Sequence, residues 1–374
     1  MLKFDIVKKK GLARVGVIHT PHGDIKTPAF VGAATRASVK ALTMKEMREL
    51  GSQAILANTY HLVLTPGPEL IEEAGGLAAF CSFNGPTFTD SGGFQIFSIP
   101  DVKISENGAR FKSHINGDKL EMTPESSMEA QWKIGADIHM AFDHLAKSEK
   151  YEDMKEAMER THAWLKRCVA KHEQLACRAL QNGKPEQYLY AVVQGGDFAE
   201  LRAESAKFAA SQNVDGFGIG GVFTADGMAE MLQNVNNILP ENKPRHLLGM
   251  GQEPIDLFVG AENGCDTFDC VGPTRMARNG SLYTLDGRIN IKNAKYKHDF
   301  TPLMEDCDCE LCQNYTKAYL HHLFRTDEIT AKVLASIHNE HFVVSVVDKI
   351  REALENGGYE EYRDEFLEKY YKIR

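Results

Sequence analysis

The chain has 374 residues, of which 43% are hydrophobic and 25% are charged, and its formal net charge is −9. This composition is typical of a soluble globular protein, and the acidic balance argues against a protein whose whole surface binds nucleic acid, although it permits a local basic face. No apolar run approaches the roughly 20 residues of a membrane-spanning helix, and we recognise no signal peptide, so we expect a cytoplasmic protein with reduced cysteines.

Residues 1–25 are predicted to form β-hairpins that cap one end of the fold. Apolar and polar residues alternate between Phe4 and Ile25, around glycines, and such alternation is typical of strands. We therefore expect an N-terminal cap that precedes the main body of the protein.

Residues 26–300 repeat one unit, a short apolar run that ends in a polar residue or glycine and is followed by a helical stretch. One long helix is predicted from about Tyr151 to Leu180. Strands that alternate with helices form parallel sheets, and about eight of them favour a closed (β/α)₈ TIM barrel over an open doubly wound sheet. The apolar runs occupy residues 28–31, 54–58, 87–90, 137–143, 188–194, 216–221, 246–251 and 265–269.

The ends of these predicted strands carry the candidate functional residues. In such barrels the active site lies at the C-terminal ends of the strands. Carboxylates that are gathered together repel one another and shift one another's pKa, so three convergent aspartates indicate a functional pocket. The strand-end residues are Asn58, Asp90, Asp143, Gln194, Gly220, Gly221, Met250 and Asp269.

Two kinds of chemistry suit these residues. A carboxylate at Asp143 accepts hydrogen bonds, and the amide of Gln194 both donates and accepts, so with the N–H of Gly221 they match the edge of a guanine-like base. Two carboxylates, Asp90 and Asp269, are the arrangement that breaks and remakes glycosidic bonds. The alternative for each aspartate is a helix N-cap, which strand-to-helix turns often need.

A local basic segment follows the last predicted strand. It lies in an otherwise acidic chain and leads into a cysteine cluster, which favours a phosphate-contacting surface. The alternative is an ordinary solvated face. Between Arg275 and His298 the segment holds one acid, Asp286, against Arg275, Arg278, Arg288, Lys292, Lys295 and Lys297.

The cluster of Cys307, Cys309 and Cys312, with a histidine further along, suits one structural Zn²⁺ per chain. All four tetrahedral positions would be filled by protein, which is typical of a structural rather than a catalytic site. A disulfide with a spare thiol is the alternative, and a reducing compartment disfavours it. His338, 26 residues after Cys312, lies in a predicted amphipathic helix. Spacing alone leaves other histidines open as the fourth ligand, namely His321, His322 and His341.

These motifs follow one another over nearly the whole chain: Asp90-Ser91-Gly92-Gly93-Phe94-Gln95, Phe142-Asp143, Gln194-Gly195, Gly220-Gly221, Phe268-Asp269-Cys270, Pro273-Thr274-Arg275, Arg278-Asn279-Gly280 and the cysteine cluster with His338. Together they resemble the bacterial type of the tRNA-guanine transglycosylase (queuine tRNA-ribosyltransferase) family. The resemblance implies an irregular (β/α)₈ barrel with an inserted zinc-binding subdomain, at residues 301–374 with the C-terminal helices. It implies a cytoplasmic enzyme of queuosine biosynthesis that exchanges guanine at the wobble position, 34, of GUN-anticodon tRNAs for a 7-deazaguanine, preQ1 or queuine.

The resemblance also implies roles for individual residues. Asp269 is the nucleophile that attacks the ribose, and Asp90 is the general acid/base. Arg275 and Arg278 contact the RNA. The expected zinc ligands are Cys307, Cys309, Cys312 and His338, and the expected base-binding residues are Asn58, Phe94, Asp143, Gln194, Gly221, Val222 and Met250.

The chain departs from the bacterial pattern in two places. Residues 222–226 read Val-Phe-Thr-Ala-Asp where many bacterial relatives resemble Leu-Ala-Val-Gly-Glu, so the choice between preQ1 and queuine stays open. Gln252 stands where many relatives have Lys, which puts one phosphate contact in doubt.

Three other functions compete with this interpretation. The first is a non-catalytic RNA-binding subunit of the same fold, which the presence of Asp269 disfavours. The second is the archaeal-type enzyme, which usually carries a further RNA-binding domain. The third is a zinc-dependent hydrolase, which would need an open metal site at the strand ends. The resemblance also implies a homodimer, with the zinc region often at the interface.

Overall fold

The computed structural model describes residues 1–220 and 227–372. Its centre is a closed barrel of eight parallel strands, in which strands that follow one another along the chain are neighbours and the last pairs with the first. The barrel strands are β4 (Ala29–Ala33), β5 (Ala54–Asn58), β6 (Thr87–Asp90), β10 (Ile138–Met140), β11 (Tyr188–Val193), β12 (Gly216–Ile219), β13 (Arg245–Leu247) and β14 (Thr267–Cys270). The predicted α/β barrel is therefore confirmed.

Alternate residues of these strands fill the inside of the barrel, because side chains on a strand point to opposite faces in turn. The opposite faces of the strands pack against the helices, where most of the apolar core lies. The buried inward side chains form one cluster, which includes Val31, Leu56, Phe88, Ile138, Met140, Tyr190 and Val192.

Helices surround the barrel, and further helices form the C-terminal part of the chain. Local signals set their bounds: α6, for example, begins after the N-cap Thr123 with Pro124 in its first turn and ends at Gly135 in a left-handed conformation, as helix-capping preferences dictate. The first ten are α1 (Met44–Glu49), α2 (Thr59–Leu64), α3 (Pro68–Glu73), α4 (Leu77–Cys81), α5 (Gly93–Ser98), α6 (Pro124–Ile134), α7 (Tyr151–Gln181), α8 (Ala199–Ala210), α9 (Met228–Asn236) and α10 (Pro254–Glu262). The predicted long helix corresponds to α7.

The remaining elements follow β14. They are α11 (Gly272–Arg278), β15 (Ser281–Leu282), β16 (Ile289–Asn290), a 3-10 helix (Ala294–His298), α12 (Glu310–Asn314), α13 (Lys317–Arg325), α14 (Ile329–Asn356) and α15 (Tyr359–Tyr371). Helix α14 packs against α11 and β4, next to the place where β4 pairs with the last barrel strand, β14. The cysteine cluster lies in the segment inserted between α11 and α14.

A three-stranded antiparallel sheet covers the N-terminal end of the barrel. It consists of β1 (Lys3–Lys10), β2 (Ala13–Thr20) and β3 (Gly23–Thr27). Ile18 and Ile25 of this sheet are fully buried and join the inner apolar cluster. A second three-stranded sheet, β7 (Lys103–Ser105), β8 (Gly108–Lys112) and β9 (Lys119–Met122), lies between β6 and β10 in the chain. The division at residues 25 and 300 into cap, barrel and zinc subdomain stays a prediction.

Two strands end at least three residues before the apolar runs that predicted them. The run at 137–143 forms a strand only as far as Met140, and the run at 246–251 only as far as Leu247. Beyond these points the backbone leaves the sheet, and the residues that follow line the mouth of the barrel instead. No helix in the described residues is long and apolar enough to cross a membrane.

A buried ion pair fastens the N-terminal sheet to the barrel, and its loss should destabilise the protein strongly. Arg14 donates to both carboxylate oxygens of Asp266, at 2.8 and 2.5 Å, and both side chains are almost fully buried. We expect Asp266→Ala to lower the free energy of unfolding by about 3–5 kcal/mol, because it leaves a buried guanidinium without its counter-ion. Urea denaturation measures this.

The matched control for that measurement is Lys9→Ala. It removes an exposed ion pair between Lys9 and Glu241, which solvent screens, so the midpoint of denaturation should hardly move. Equal effects of the two substitutions would contradict the role given to the buried pair.

Candidate active site

A cavity of about 590 Å³ opens at the C-terminal ends of the barrel strands. It gathers side chains that are far apart in the sequence, as the strand-end argument predicts. Its lining includes Asp90, Phe94, Asp143, Gln194, Gly220, Met250, Asp269 and Arg275, together with His61 and Leu248. Asn58 contacts this set through Asp90. Gly221 and Val222, which were also predicted to bind the base, lie outside the described residues.

Asp90 ends β6 and is held by donors on three sides. The backbone N–H groups of Thr59 and Gly92 donate to its Oδ1 at 3.1 and 2.9 Å, and Asn58 Nδ2 donates to its Oδ2. Desolvation, with a smaller contribution from the nearby carboxylate of Asp269, raises the pKa of Asp90 to about 7, although these donors oppose the rise. A carboxyl group with this pKa can both give and take a proton near neutral pH.

The turn after Asp90 requires its glycines. Gly92 has φ of 78°, and a Cβ there would lie 2.9 Å from the backbone nitrogen of Tyr60. A Cβ on Gly93 would lie 2.8 Å from the carbonyl oxygen of Asp143. The two glycines thus let α5 start close to the neighbouring strand end, and Phe94 follows with 61% of its surface exposed.

Asp143 and Gln194 form a polar pair in the same cavity. Gln194 Nε2 donates to Asp143 Oδ2 at 2.6 Å, and Ser91 Oγ donates to Asp143 Oδ1 at 2.9 Å. Burial raises the pKa of Asp143, and the bonds from Gln194 and Ser91 oppose that rise. The pair presents a carboxylate and an amide to the same space, which can match a flat ligand with donors and an acceptor on one edge.

Asp269, in β14, faces the cavity with one anchored oxygen. His246 Nε2 lies 3.0 Å from Asp269 Oδ1, and the N–H of Gly249 donates to the same oxygen at 2.9 Å. Sequence reasoning missed His246. The available signal was the alternation of inward and outward side chains along β13. In the structure, residue 246 pairs with Thr267 on β14.

Sequence reasoning also missed Arg202, which is fully buried in α8. Its Nε donates to the carbonyl of Gly196, and its Nη1 donates to the carbonyls of Val193 and Gly220. The guanidinium therefore joins the ends of β11 and β12 beside Gln194. No pattern in the sequence distinguishes this arginine from an exposed one.

Two residues of the basic segment, Arg275 and Arg278, are on α11. Arg275, on α11, is exposed and belongs to the cavity lining. Arg278, one turn later, does not line the cavity. It is partly buried, and its Nη1 has no hydrogen-bond partner among the described residues. Both cations are on the helix that follows strand β14.

The four predicted metal ligands lie close together, three in the inserted segment and His338 on α14. The ligand atoms of Cys307, Cys309, Cys312 and His338 are all buried and lie within 4.8 Å of one another. His338 Nδ1 is 3.8, 3.4 and 3.4 Å from the three sulfurs. His338 Nε2 donates to the carbonyl of Tyr283 at 2.8 Å, so the lone pair on Nδ1 points to the sulfurs, as a metal-ligating histidine requires.

The competing histidines fit this cluster less well. His341 approaches Cys307 alone among the three cysteines, at 3.8 Å, and it also pairs with the exposed Asp308. His321 Nδ1 lies 2.8 Å from the carbonyl oxygen of Ile291. A three-cysteine, one-histidine set of closed, buried donors could hold a metal ion and fits the preferences of zinc.

Comparison with known proteins gives one consistent result. The sequence profile of the family described as queuine tRNA-ribosyltransferase matches residues 8–372. The chain is 44% identical to the queuine tRNA-ribosyltransferase of Macrococcus caseolyticus over 368 residues, 97% of this chain and 94% of that protein. It is 46% identical to that of Herpetosiphon aurantiacus (97% and 91% covered) and 42% identical to that of Bacillus subtilis (99% and 96% covered).

Proposed function

The chain belongs to the queuine tRNA-ribosyltransferase family, and from this premise we propose that it is a pentosyltransferase acting on tRNA. It exchanges guanine at the wobble position of GUN-anticodon tRNAs for a 7-deazaguanine, either preQ1 or queuine, in queuosine biosynthesis. The observation that carries the proposal is the convergence of Asp90 and Asp269 on one cavity that also holds the Asp143–Gln194 pair.

The proposed reaction is a double displacement at ribose C1′. A carboxylate oxygen of Asp269 bonds to C1′ as the bond from C1′ to guanine N9 breaks, and Asp90 gives the departing base a proton. The incoming base then loses a proton to Asp90 as its nitrogen bonds to C1′ and Asp269 leaves. Two displacements retain the configuration at C1′. The pKa of Asp90, raised to about 7 by desolvation, suits both proton transfers.

The base would lie flat in the cavity, in the manner of a flipped nucleotide. Asp143 would accept from N1–H and the exocyclic amino group, and Gln194 would donate to the carbonyl oxygen. Phe94 and Met250, both of which line the cavity, would cover the two faces. We propose that Gly221 and Val222 also bind the base, and that Asn58 acts through its hydrogen bond to Asp90.

The tRNA backbone would lie across the basic side of the cavity. Arg275 and Arg278 are proposed to contact phosphates of the anticodon loop, because phosphate contacts supply most of the affinity and place the substrate. Gln252, which is exposed beside this surface, would supply no charge where many relatives have Lys.

We further propose that Cys307, Cys309, Cys312 and His338 hold one zinc ion. When bound, the zinc would join the inserted segment to α14 and leave no position for substrate. A reducing compartment keeps cysteine ligands from forming disulfides, which agrees with the expected cytoplasmic location.

A homodimer is proposed through the zinc-bearing region. Large apolar side chains lie on its surface: Phe300, Tyr319 and Ile329 are 73%, 43% and 76% exposed. Such groups favour an interface when they lie together. Sedimentation equilibrium tests the assembly, and a monomer at micromolar concentration would contradict it.

The function is tested by base exchange. Purified protein is mixed with unmodified GUN-anticodon tRNA and radiolabelled guanine, with preQ1 or queuine as competitor. We expect label to enter the tRNA and one competitor to block it, which also identifies the incoming base. Absence of label from a folded, metal-loaded protein would favour the alternative of a non-catalytic RNA-binding subunit.

The acid/base role of Asp90 predicts a large loss of rate on substitution. We expect Asp90→Asn to lower kcat for guanine exchange by about 10²–10⁴-fold, since a positioned acid/base group typically contributes this much. Steady-state exchange across pH 5–9 provides the measurement. A kcat close to wild type would contradict the assignment.

The same carboxyl group predicts a pH dependence of stability. The folded-state pKa, about 7, lies above the ordinary value of 3.8, so between these values the folded state binds more protons than the unfolded one. Stability therefore falls as pH rises through this window, by on the order of 2–4 kcal/mol. Urea denaturation at pH 5 and pH 8 should show a smaller fall for Asp90→Asn than for wild type.

A further inference from the structure

A histidine inside the barrel holds the carboxylate that faces the cavity. His246, the middle residue of β13, has none of its surface exposed. Its Nε2 lies 3.0 Å from Asp269 Oδ1, and its Nδ1 lies 2.8 Å from Thr267 Oγ1. Its ring packs on Phe88, with centroids 5.5 Å apart. The imidazole is thus fixed by two side chains of β14 and by an aromatic ring of β6.

The two oxygens of Asp269 have different surroundings. Oδ1 accepts hydrogen bonds from both His246 Nε2 and the N–H of Gly249. Among the described residues no hydrogen bond reaches Oδ2, although Asp269 lines the cavity. One oxygen is therefore engaged by the protein, and the other is available to a ligand.

We infer that His246 is the positioning residue of the nucleophile: it holds Asp269 Oδ1 so that Oδ2 is the oxygen that bonds to ribose C1′. The inference rests on the proposed function, and it adds which oxygen reacts and what aims it. His246 is too deeply buried to meet the substrate, so it acts through Asp269 alone.

The hydrogen positions follow from the chemistry of the partners. An ionised carboxylate only accepts hydrogen bonds, so Nε2 of His246 must carry the hydrogen. In the neutral ring Nδ1 then accepts, and the hydroxyl of Thr267 is the donor beside it. Thr267 therefore selects the tautomer that Asp269 needs, as a second partner of a histidine commonly does.

This arrangement matters because attack at C1′ needs a narrow range of positions. A reacting atom misplaced by about 1 Å can cost about 10²-fold in rate. A carboxylate at a strand end can rotate about its last bond, and two donors on one oxygen prevent that rotation. Removal of one donor should reduce the reaction rate and leave binding of the base intact, since Asp143 and Gln194 are untouched.

The experiment compares His246→Leu with His246→Gln in base exchange by the full-length, metal-loaded protein. The Gln amide can place a donor near the position of Nε2, whereas Leu cannot. We expect Leu to lower kcat by about 10²-fold with KM for guanine nearly unchanged, and Gln to recover most of the loss. His139→Leu is the matched control: His139 is equally buried in β10 but has no contact with Asp269, and its kcat should stay near wild type.

The results separate this inference from the function on which it rests. Wild-type protein that neither exchanges guanine nor forms an adduct would overturn the proposed function. If the wild type is active, a folded His246→Leu variant with a normal kcat would overturn only the inference. Equal losses of kcat in the Leu and Gln variants, or a change confined to KM, would also overturn it. If His246→Leu does not fold, Thr267→Val provides the test: we expect a several-fold lower kcat at unchanged KM, and a normal kcat would overturn the inference.

Discussion

Asp269→Asn should abolish both guanine exchange and the covalent adduct with tRNA. The amide has the shape of the carboxylate, and its oxygen can still accept from His246 and Gly249, so the fold and the cavity should persist. The amide nitrogen would stand in place of Oδ2, and it is not a nucleophile. Loss of a nucleophile costs on the order of 10⁴–10⁶-fold in kcat. Adduct formation on denaturing gels and single-turnover exchange measure the effect.

A buried carboxyl outside the cavity provides the matched control. Asp256, on α10, is buried, and Asp256→Asn makes the same chemical change without touching the active site. This variant should form adduct at a normal rate. Adduct at normal yield with Asp269→Asn would show that another residue attacks C1′, with Asp90 the first to examine.

Cys309→Ala should remove the metal and destabilise the inserted segment. Structural zinc binds with apparent free energies of about 10–16 kcal/mol in zinc-finger peptides, which is comparable to the total stability of a domain. We expect the free energy of unfolding to fall by more than about 4 kcal/mol, because three ligands hold zinc far less well than four. Metal analysis and thermal denaturation provide the measurement.

Cys265→Ala is the control for that experiment. Cys265 is a buried free thiol outside the cluster, so this variant should keep one zinc per chain and lose only about 1 kcal/mol. A Cys309→Ala protein that retained stoichiometric zinc and normal melting would contradict the proposed site. A chelator that stopped exchange at once in a still-folded protein would favour a catalytic metal, and with it the hydrolase alternative.

The barrel and most of the residues that line its cavity could be predicted from the sequence because their signals are local. Each strand is a short apolar run, and the polar residue that ends it is adjacent in the chain. Parallel strands place all such ends on one side, so Asp90, Asp143 and Asp269 could be brought together without knowledge of any contact. The cysteine cluster was equally local, since its three sulfurs lie within six residues.

Contacts across strands and helices could not be predicted in this way. The bond from His246 to Asp269 depends on the register of β13 against β14, and the bonds of Arg202 depend on how α8 packs. Alternation along β13 could indicate that His246 points inward, but no pattern in the nearby residues identifies the partners of His246 or of Arg202. The strands before Asp143 and Met250 ended earlier than the apolar runs, because pairing with neighbours, not hydrophobicity, sets where a strand stops.

The sequence by itself thus determined the alternation of strands and helices, the residues at the strand ends and the three cysteines, because each follows from spacing along the chain. The family resemblance implied His338, but spacing alone could not separate it from His341, which lies one helical turn away, and only the tertiary structure shows the contacts that distinguish the two. His338 faces all three sulfurs and donates to Tyr283, whereas His341 approaches Cys307 alone. The face of α14 that packs against the cysteines determines which histidine lies near the sulfurs, and that packing depends on the whole fold.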